Sequence, residues 1–582
     1  MGFNDKSIVV QQLKHLGALL ELDGANVFKV NAFRNAIRTL ETLEEPLDRL
    51  IEEGRLSELK GFGKSIVADV TEIANSADGA CEALRELRAR IPAGLMEFLR
   101  IDGFGAKKAR TVWQELGVTT LEELQQACQQ NRVAALKGFG PKSQENILKG
   151  IERLAQYRGR FLAVQAERQA APILETLRKL PCVTRAEIAG SLRRKRETVK
   201  DADIIAASDD PETVMQAFID CAKEEGQVIA HGKMKSAIRL GDQLQLDLRV
   251  VPDAQFASAA HHFTGSKEHN VAMRGRAQRM GFKINEYGLF KEEAGEEKLI
   301  ACRSEEELFS ALGLQYIPPE LREDMGEIAA AEKGELPQLV QEADIKGILH
   351  VHSTYSDGKN SIRDMAEAAQ KMGYAYIAIC DHSRSAAYAK GLSIDDVERQ
   401  HQEIDALNNE GLGIRILKGI ESDILQDGAL DYPENVLKRF EIIVASVHSR
   451  FNLSASDQTR RIVNAVKNPY CDVIGHPTGR LLLGREPYPV DIREIINAAT
   501  SEGKAIELNC NPHRMDLDWR EILASRDKGL KIAINTDAHS VEGLHDIHYG
   551  VGVARKGWCK ADDVINACDC DTLLRWRRSA VE

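Results

Sequence analysis

The chain has 582 residues, of which 43% are hydrophobic and 29% charged, and its formal net charge is −12. This length exceeds what one hydrophobic core accommodates and predicts about three to five domains. The negative net charge excludes a protein that coats nucleic acid through overall positive charge. No run of roughly 18 uncharged apolar residues occurs, so we expect no membrane span. The N-terminus lacks the basic start and cleavage site of a secretory peptide. We therefore expect a cytoplasmic protein.

The cysteines are consistent with a reducing compartment. Eleven are scattered along the chain without a C-x-x-C pair, which favours free thiols over a disulfide framework. Cys568 and Cys570, with Cys559 upstream, leave a small metal site open as an alternative.

The first 165 residues have the apolar periodicity of helices and contain a repeated glycine motif. The copies are LKGFGKS from Leu59, IDGFGAKKA from Ile101 and LKGFGPKS from Leu136. Two glycines around one apolar residue favour a tight turn whose amides, with the N-terminus of the next helix, can face a phosphate. The repeats resemble helix-hairpin-helix motifs, which hold DNA backbones without reading sequence. The predicted DNA-binding residues are Gly61, Gly63, Lys64, Gly103, Gly105, Gly138 and Gly140.

From about residue 180 the pattern changes to strands, two of which carry three aspartates. In VKDADII, Asp201 and Asp203 are two apart and face one side of a strand. Asp247, in LQLDLRVVP, lies on another strand. Converging carboxylates repel one another unless a divalent cation lies between them, and two-metal phosphoryl transfer uses such an arrangement. A solvent-facing strand edge is the alternative for a bare D-x-D.

The surrounding motifs favour the catalytic interpretation. AGSLRRKRE offers Gly190–Ser191 and a basic run suited to a triphosphate, and HHFTGSKEHNVAMR and INEYGLF follow. Over roughly residues 1–317 the chain resembles the family X DNA polymerases, of the DNA polymerase beta type. The resemblance implies that Asp201, Asp203 and Asp247 hold two Mg²⁺ or Mn²⁺ ions, with Asp247 also placed to activate the primer 3′-hydroxyl. It implies that the incoming nucleotide and template are bound by Gly190, Ser191, Arg194, Thr264, Gly265, Ser266, Asn270 and Arg274, where Ser191 and Arg194 hold the triphosphate.

Some positions near the nucleotide and in the N-terminal region differ from the residues that this family usually has, and others match them. Lys200 replaces the glycine that usually precedes the first catalytic aspartate, and His262 replaces a tyrosine beside the nucleotide sugar, so altered metal and sugar selection is expected. VFKVNAFRNA resembles the family's 5′-phosphate pocket, with Lys29 and Arg34 as DNA-binding residues. Alignment on the first glycine repeat places Asp69 where eukaryotic members have a Schiff-base lysine. A carboxylate cannot form an imine with an abasic sugar, so lyase activity is not expected.

The last third of the chain has short apolar runs that alternate with helical segments, which is typical of a parallel α/β fold. Most of these runs end in a histidine or an acid, from GILHVHSTYSD to IAINTDAH. In a (β/α) barrel the carboxyl ends of the strands form one rim, where ligands distant in sequence converge. Nine ligands exceed what one ion uses, so two or three ions are implied. The candidates are His350, His352, Asp357, His382, Glu421, His448, His476, Asp537 and His539.

These residues resemble the polymerase and histidinol phosphatase (PHP) domain over roughly residues 344–570. The resemblance implies up to three Mn²⁺ or Zn²⁺ ions and cleavage of phosphodiesters, with Arg514 assisting at a phosphate. One half of the chain would then add nucleotides to a 3′ end, and the other would remove them.

We therefore predict a multidomain fold with helical N-terminal helix-hairpin-helix domains, an α+β nucleotidyltransferase palm with a thumb, and a C-terminal (β/α)7-type PHP barrel. The predicted boundaries are 1–85 for an N-terminal helical DNA-binding domain, 86–165 for a helix-hairpin-helix domain, 166–255 for the palm, 256–317 for the thumb, 318–343 for a linker and 344–582 for the PHP domain.

The predicted function is that of a DNA repair polymerase that fills short gaps. Its partners would be gapped or primed double-stranded DNA and deoxynucleoside triphosphates, and the PHP domain would act as a 3′–5′ exonuclease and cleave at abasic sites. We expect a monomer associated with the nucleoid. Two alternatives stay open: a nuclease whose polymerase half is a weakened DNA-binding module, and a small-molecule phosphatase.

Overall fold

The computed structural model describes residues 6–41, 43, 45–76, 78–101, 103–223, 226–241, 243–293 and 296–579. The chain forms two units, Met1–Arg158 and Gly159–Glu582. No helix in the described ranges combines the length and the apolar character that a membrane crossing requires.

The first unit is built from short amphipathic helices around one apolar core, in which Leu13, Val70 and Phe98 are fully buried. Its helices are α1 (Lys6–Asp23), α2 (Val27–Glu41), α3 (Leu47–Glu52), α4 (Lys64–Asn75), α5 (Glu82–Arg90), α6 (Leu95–Phe98), α7 (Ala106–Leu116), α8 (Leu121–Gln129) and α9 (Pro141–Tyr157). The sequence predicted helices to about residue 165. The helical run ends earlier, because Phe161–Leu162 forms a short strand that pairs antiparallel with Thr198–Val199.

The second unit begins with a palm and a thumb. A five-stranded sheet has the order β2-β4-β7-β6-β5, in which only β4 and β7 are parallel, and a three-stranded antiparallel sheet has the order β10-β9-β8. The strands are β1 (Phe161–Leu162), β2 (Val183–Ile188), β3 (Thr198–Val199), β4 (Asp201–Ser208), β5 (Gly226–His231), β6 (Lys235–Leu240), β7 (Leu244–Val251), β8 (Phe282–Asn285), β9 (Gly288–Glu293) and β10 (Glu296–Ile300). The helices of this part are α10 (Ala163–Arg178), α11 (Gly190–Arg193), α12 (Pro211–Asp220), α13 (Phe256–Thr264), α14 (Lys267–Arg279) and α15 (Glu305–Ala311).

Residues 318–343 connect the thumb to the last part of the chain and pack closely onto the unit. They contain the helix α16 (Glu327–Lys333). Leu321, Glu327 and Val340 are buried, so this segment contributes to the core of the second unit.

The last part is a parallel sheet of seven strands in sequence order that is nearly closed, because Val351 forms a parallel bridge with Ala538 beyond the seventh strand. Most of its strands are buried on both faces, as expected for a sheet enclosed by helices. The strands are β11 (Gly347–Val351), β12 (Tyr376–Ile379), β13 (Arg415–Asp423), β14 (Ile442–Ser446), β15 (Val473–Ile474), β16 (Ala505–Asn509) and β17 (Lys531–Asn535).

The helices around this sheet have clear start signals. Five of them begin after a Ser or Asp whose side chain accepts a backbone N–H of the first turn, at Ser361, Ser393, Ser454, Asp491 and Asp518. The helices are α17 (Ile362–Lys371), α18 (Ile394–Glu410), α19 (Glu434–Leu437), α20 (Ala455–Val466), α21 (Ile492–Ser501), α22 (Trp519–Ser525), α23 (Ile547–Lys556) and α24 (Cys570–Ser579).

Candidate active sites

The three glycine repeats of the first unit share one backbone geometry. The first glycine of each has a positive φ, which is +88° at Gly61, +70° at Gly103 and +88° at Gly138, a conformation that side chains disfavour. The second glycine of each directly precedes a helix: Gly63 before α4, Gly105 before α7 and Gly140 before α9. No atom lies within 4 Å of a Cβ built on any of these second glycines. Each repeat is therefore a turn that leaves a helix N-terminus open to a ligand.

Of the two residues predicted to bind a 5′-phosphate, Lys29 lines a cavity of about 720 Å³ in the first unit and Arg34 does not. Lys64, Gly61 and Gly63 also line this cavity. Arg34 makes an exposed ion pair with Glu21 at 2.8 Å. Burial raises the pKa of Asp69, the residue at the Schiff-base position, against the opposing influence of Lys29.

The palm places its three aspartates on the two parallel strands of the sheet. Asp203 on β4 is in register with Asp247 on β7, and Asp201 lies two residues earlier on β4. All three occupy the less buried face of their strands. The three aspartates are farther apart than the barrel ligands: among the described residues, the groups whose ligand atoms all lie within 4.8 Å of one another are in the barrel, and none includes these aspartates. The three carboxylates therefore lie on one face of the sheet but are not all in close contact, which is consistent with the repulsion between like charges.

The electrostatics of the palm favour a divalent cation there. Burial, reinforced by Asp201 and Asp247, raises the pKa of Asp203 to about 7. Burial and the charge of Asp247 also raise the pKa of Asp201. Asp201 and Asp203 thus resist ionisation beside the carboxylate of Asp247, and the three side chains provide hard oxygen donors of the kind that Mg²⁺ and Mn²⁺ prefer.

Gly190 is required by the close approach of α11 to the aspartates. Its φ is +62°, and a Cβ at this position would lie 2.1 Å from Oδ2 of Asp203. Ser191 follows at the start of α11, so the loop predicted to hold a triphosphate lies directly beside the metal-binding face.

The remaining predicted nucleotide contacts differ in accessibility. Thr264 and Ser266 are buried: the Thr264 hydroxyl accepts a hydrogen bond from Arg193, and the Ser266 hydroxyl caps α14. Asn270 donates to the backbone oxygen of His262 at 2.7 Å. Arg274 is exposed and lines a cavity at the thumb. Thr264 and Ser266 thus make hydrogen bonds within the fold and Gly265 between them has a φ of +67°, while contact of these residues with a nucleotide stays a prediction.

The two departures from the family pattern lie in different environments. Lys200 is exposed just before Asp201. His262 is partly buried, burial lowers its pKa, and its Nδ1 lies 3.9 Å from Glu286 of the thumb turn. His262 is therefore a neutral, polar side chain at neutral pH.

The barrel brings all nine predicted ligands together at the carboxyl ends of its strands. Glu421 lies at the centre, where Oε2 is 2.8 Å from His382 and Oε1 is 3.0 Å from His476 and 3.2 Å from His448. Asp537 Oδ1 lies 3.1 Å from His352 Nε2. Three groups have ligand atoms within 4.8 Å of one another: His352, Asp357, His382 and His539; His350, His352 and Asp537; and His382, Glu421 and His448.

Several of these atoms are buried and form no hydrogen bond, although they lie close together. They include Nε2 of His350, both ring nitrogens of His352, Nδ1 of His382, Oε2 of Glu421 and Nδ1 of His476. A buried polar atom without a partner destabilises the fold. Nitrogen and oxygen atoms that converge here without hydrogen bonds are therefore suited to bind metal ions. Burial and the facing rings of His539 and His382 lower the pKa of His352 to about 3, which keeps this imidazole neutral and able to ligate.

A second layer of carboxylates, which was not predicted from the sequence, orients the ligands. Glu507 is fully buried and lies 2.7 Å from Nδ1 of His350, while its other oxygen accepts the backbone N–H of His476. Asp423 lies 2.6 Å from Nδ1 of His448. Such partners fix the ring orientation of metal-binding histidines. Glu507 lies within the apolar run AIELN and Asp423 ends GIESD, and acids in such runs could have identified them.

Two further sequence predictions have definite locations. Arg514 Nε lies 3.7 Å from Asp537 Oδ2, at the edge of the ligand cluster. Cys559, Cys568 and Cys570 are free, and no close metal-ligand group of the described residues includes them. The barrel rim is thus the place where the described residues assemble such groups.

The palm, thumb and carboxylate face define a nucleotidyltransferase of the DNA polymerase beta type, joined to a PHP metal-dependent phosphoesterase. Family models match in the same order: a helix-hairpin-helix domain at residues 4–78, a SAM-like helix-hairpin-helix tandem at 95–153, the DNA polymerase beta thumb at 259–323 and the PHP domain at 349–511. The DNA polymerase/3′–5′ exonuclease PolX of Bacillus subtilis (strain 168) is 41% identical over 564 residues, covering 97% of both chains. The chain therefore belongs to the PolX family of bacterial family X DNA polymerases.

Other relatives match parts of the chain. A probable phosphatase of Thermoanaerobacter sp. (strain X514) is 34% identical over 235 residues, which is 38% of this chain and 91% of the phosphatase. A structure of Leishmania infantum polymerase beta in a ternary P/T complex is 23% identical and covers 40% of this chain and 98% of the other, with a TM-score of 0.26. The full-length relative confirms the predicted family, fold class and enzyme class, a DNA polymerase with 3′–5′ exonuclease activity, and neither alternative is better supported.

Proposed function

We propose that this protein fills short gaps in DNA by template-directed nucleotidyl transfer at Asp201, Asp203 and Asp247, and trims 3′ ends at the barrel rim. The observation that carries the proposal is the presence of two separate acidic sites in one chain, one of them backed by a phosphate-binding loop. In the palm, Asp203 and Asp247 lie in register and Gly190 brings the loop against them.

The palm aspartates would hold two Mg²⁺ or Mn²⁺ ions, and the nine barrel residues up to three Mn²⁺ or Zn²⁺ ions. Bound ions would stabilise charge on phosphoryl oxygens and lower the pKa of a coordinated hydroxyl group or water. The protein's own contribution is orientation: Glu507 and Asp423 hold His350 and His448 from behind. Arg514, at the edge of the cluster, would bind a phosphate of the strand being cleaved.

We propose that the first unit holds the DNA backbone through its three glycine turns and Lys64, and a 5′-phosphate through Lys29 and Arg34. The open helix N-termini after Gly63, Gly105 and Gly140 support this role. Asp69 supplies no amine, so the unit would bind the 5′ side of a gap without lyase chemistry. Cleavage at abasic sites would then fall to the barrel.

The proposed partners are gapped or primed double-stranded DNA and deoxynucleoside triphosphates, and the proposed state is a monomer in the cytoplasm, associated with the nucleoid. The eleven free cysteines support a reducing compartment. The proposed domains follow the predicted boundaries, except that the second helix-hairpin-helix domain would end near Arg158, where the first unit ends.

Separation of the two activities tests the proposal. Asp201→Ala with Asp203→Ala should abolish nucleotide addition on a gapped duplex and leave Mn²⁺-dependent degradation of a labelled primer near the parent rate. His350→Ala with His352→Ala should do the reverse. A barrel double variant that degrades primers at the parent rate would refute the assignment of the nuclease, and a palm double variant that still extends them would refute the assignment of the polymerase.

A further inference from the structure

The arginine predicted to hold the triphosphate is already engaged by other groups. Arg194 donates from Nε to Glu323 Oε1 at 3.1 Å and from Nη1 to the backbone oxygen of Thr264 at 2.5 Å. Its side chain is only 13% exposed. A triphosphate that binds Arg194 must therefore compete with Glu323 for the guanidinium.

Glu323 has a second strong partner that the barrel supplies. Lys556, the last residue of α23, donates from Nζ to Glu323 Oε1 at 2.5 Å and to the backbone oxygen of Arg194 at 3.1 Å. Lys556 is 1% exposed, and although burial lowers its pKa to about 8, it remains mainly protonated at neutral pH. Arg196 adds a weaker contact to Glu323 at 3.7 Å. One nearly buried carboxylate is thus shared by the nucleotide loop and the exonuclease domain.

The contact between the barrel and this loop extends beyond one lysine. The side chain of Lys195 packs against Gly552 of α23, where a Cβ would lie 3.1 Å from it. Arg480 of the barrel lies 3.5 Å from Glu197, at the end of the same loop. The loop that approaches the palm aspartates therefore rests on the barrel at several points.

A nearly buried carboxylate is costly unless a cation remains beside it. If Arg194 turns toward a phosphate, Glu323 loses one of its two close cations, and Lys556 then supplies the compensation. We propose that Lys556 is a positioning residue for nucleotide binding: by holding Glu323, it releases Arg194 to the triphosphate. The exonuclease domain thereby supports the affinity of the polymerase site for its substrate, and this inference rests on the proposed role of Arg194.

The two partners are expected to act in opposite directions. In Lys556→Met, Glu323 has only arginines to pair with and holds Arg194 more tightly, so the KM for a dNTP should rise at least about fivefold with a smaller change in kcat. In Glu323→Gln, Arg194 keeps its full charge for the phosphate, so the KM should fall. In the Glu323→Gln background, Lys556→Met should have little effect, because the group through which it acts has lost its charge.

Single-nucleotide insertion kinetics of the full chain on a gapped duplex measure these values, with primer degradation and melting temperature recorded for each variant. Lys504→Met is the matched control, since Lys504 is also buried in the barrel but donates to the backbone oxygen of Pro469, and its KM should equal that of the parent. If both Lys556→Met and Glu323→Gln change the KM in the same direction, or neither changes it, while Arg194→Gln raises it, the inference is wrong and the proposed function stands. An unchanged KM in Arg194→Gln would overturn the inference together with the role of Arg194, whereas the proposed function would fail only if the palm double variant still extended primers. Should Lys556→Met fail to fold, the near-isosteric Glu323→Gln decides alone.

Discussion

Glu507 Oε1 lies 2.7 Å from Nδ1 of His350, while Nε2 of the same ring faces Glu421 at 3.5 Å and Asp537 at 3.6 Å. The imidazole thus has a carboxylate behind it and ligand carboxylates in front. This arrangement leaves Nε2 of His350 as the ring nitrogen that a metal ion would bind. Removing the carboxylate of Glu507 should therefore weaken metal affinity.

We therefore expect Glu507→Gln to weaken the apparent Mn²⁺ affinity of the exonuclease by about 10- to 100-fold, because glutamine preserves the shape but removes the charge that orients His350. Titration of the primer-degradation rate with Mn²⁺ measures the effect, and nucleotide insertion should be unchanged. Glu398→Gln, which removes a carboxylate paired with Arg439 on the surface, serves as the control. A parental Mn²⁺ titration curve in Glu507→Gln would contradict the prediction.

Gly190→Ala should impair the polymerase through a steric clash with a catalytic carboxylate. The added Cβ would lie 2.1 Å from Asp203 Oδ2, and a displacement of about 1 Å at a catalytic group costs up to about 100-fold in rate. Gly503→Ala is a matched control, since Gly503 has a φ of +65° but no atom near its Cβ. Both variants should lose the stability that a positive φ costs, Gly190→Ala more because of the clash, and only Gly190→Ala should lose nucleotide insertion. Equal insertion rates would show that Asp203 adapts to the methyl group.

The raised pKa of Asp203 predicts that its ionised carboxylate destabilises the fold at neutral and alkaline pH. A carboxyl whose pKa rises from 3.8 to about 7 on folding stabilises the fold fully below pH 3.8, and this contribution is lost as the pH rises through about 7. In a chelator at pH 8, Asp203→Asn should therefore melt at a higher temperature than the parent, by roughly 2 °C or more. The difference should shrink toward pH 4. Asp220→Asn, on the surface beside Lys223, should give no gain, and a parent as stable as Asp203→Asn at pH 8 would refute the argument.

The third glycine repeat should bind DNA through its backbone. Gly140→Val places a side chain in the open space before α9 without backbone strain, so we expect gapped-duplex affinity to fall about tenfold, the loss of one charge-assisted hydrogen bond, at parental stability. Gly138→Ala should lose both affinity and stability, because Gly138 has a φ of +88°. Gly117→Ala, with a φ of +68° outside the repeats, should lose stability alone.

Fluorescence anisotropy over a salt series measures this prediction. The affinity of the parent should fall steeply with salt and depend little on sequence, as counterion release requires. If Gly140→Val binds the duplex like the parent, the third repeat is a structural turn.

Features that follow from local backbone geometry could be predicted from the amino-acid sequence. Alternation along a strand places Asp201 and Asp203 on one face. The glycine repeats specify the turns at Gly61, Gly103 and Gly138, since only glycine accepts their positive φ without strain. The ends of parallel strands lie at one rim of a barrel, so the nine ligand positions could be predicted to converge before any pairing was known.

The contacts between distant groups could not be predicted and depend on how the chain folds. The register that sets Asp203 beside Asp247 depends on the strand order of the palm, and the place of Glu507 behind His350 depends on the neighbours of β16 in the barrel. Lys556 reaches the backbone of Arg194 across 362 residues of chain, a contact for which no local pattern exists. Side-chain direction is a property of a few residues, whereas the pairing of remote elements depends on how the whole chain packs its apolar faces.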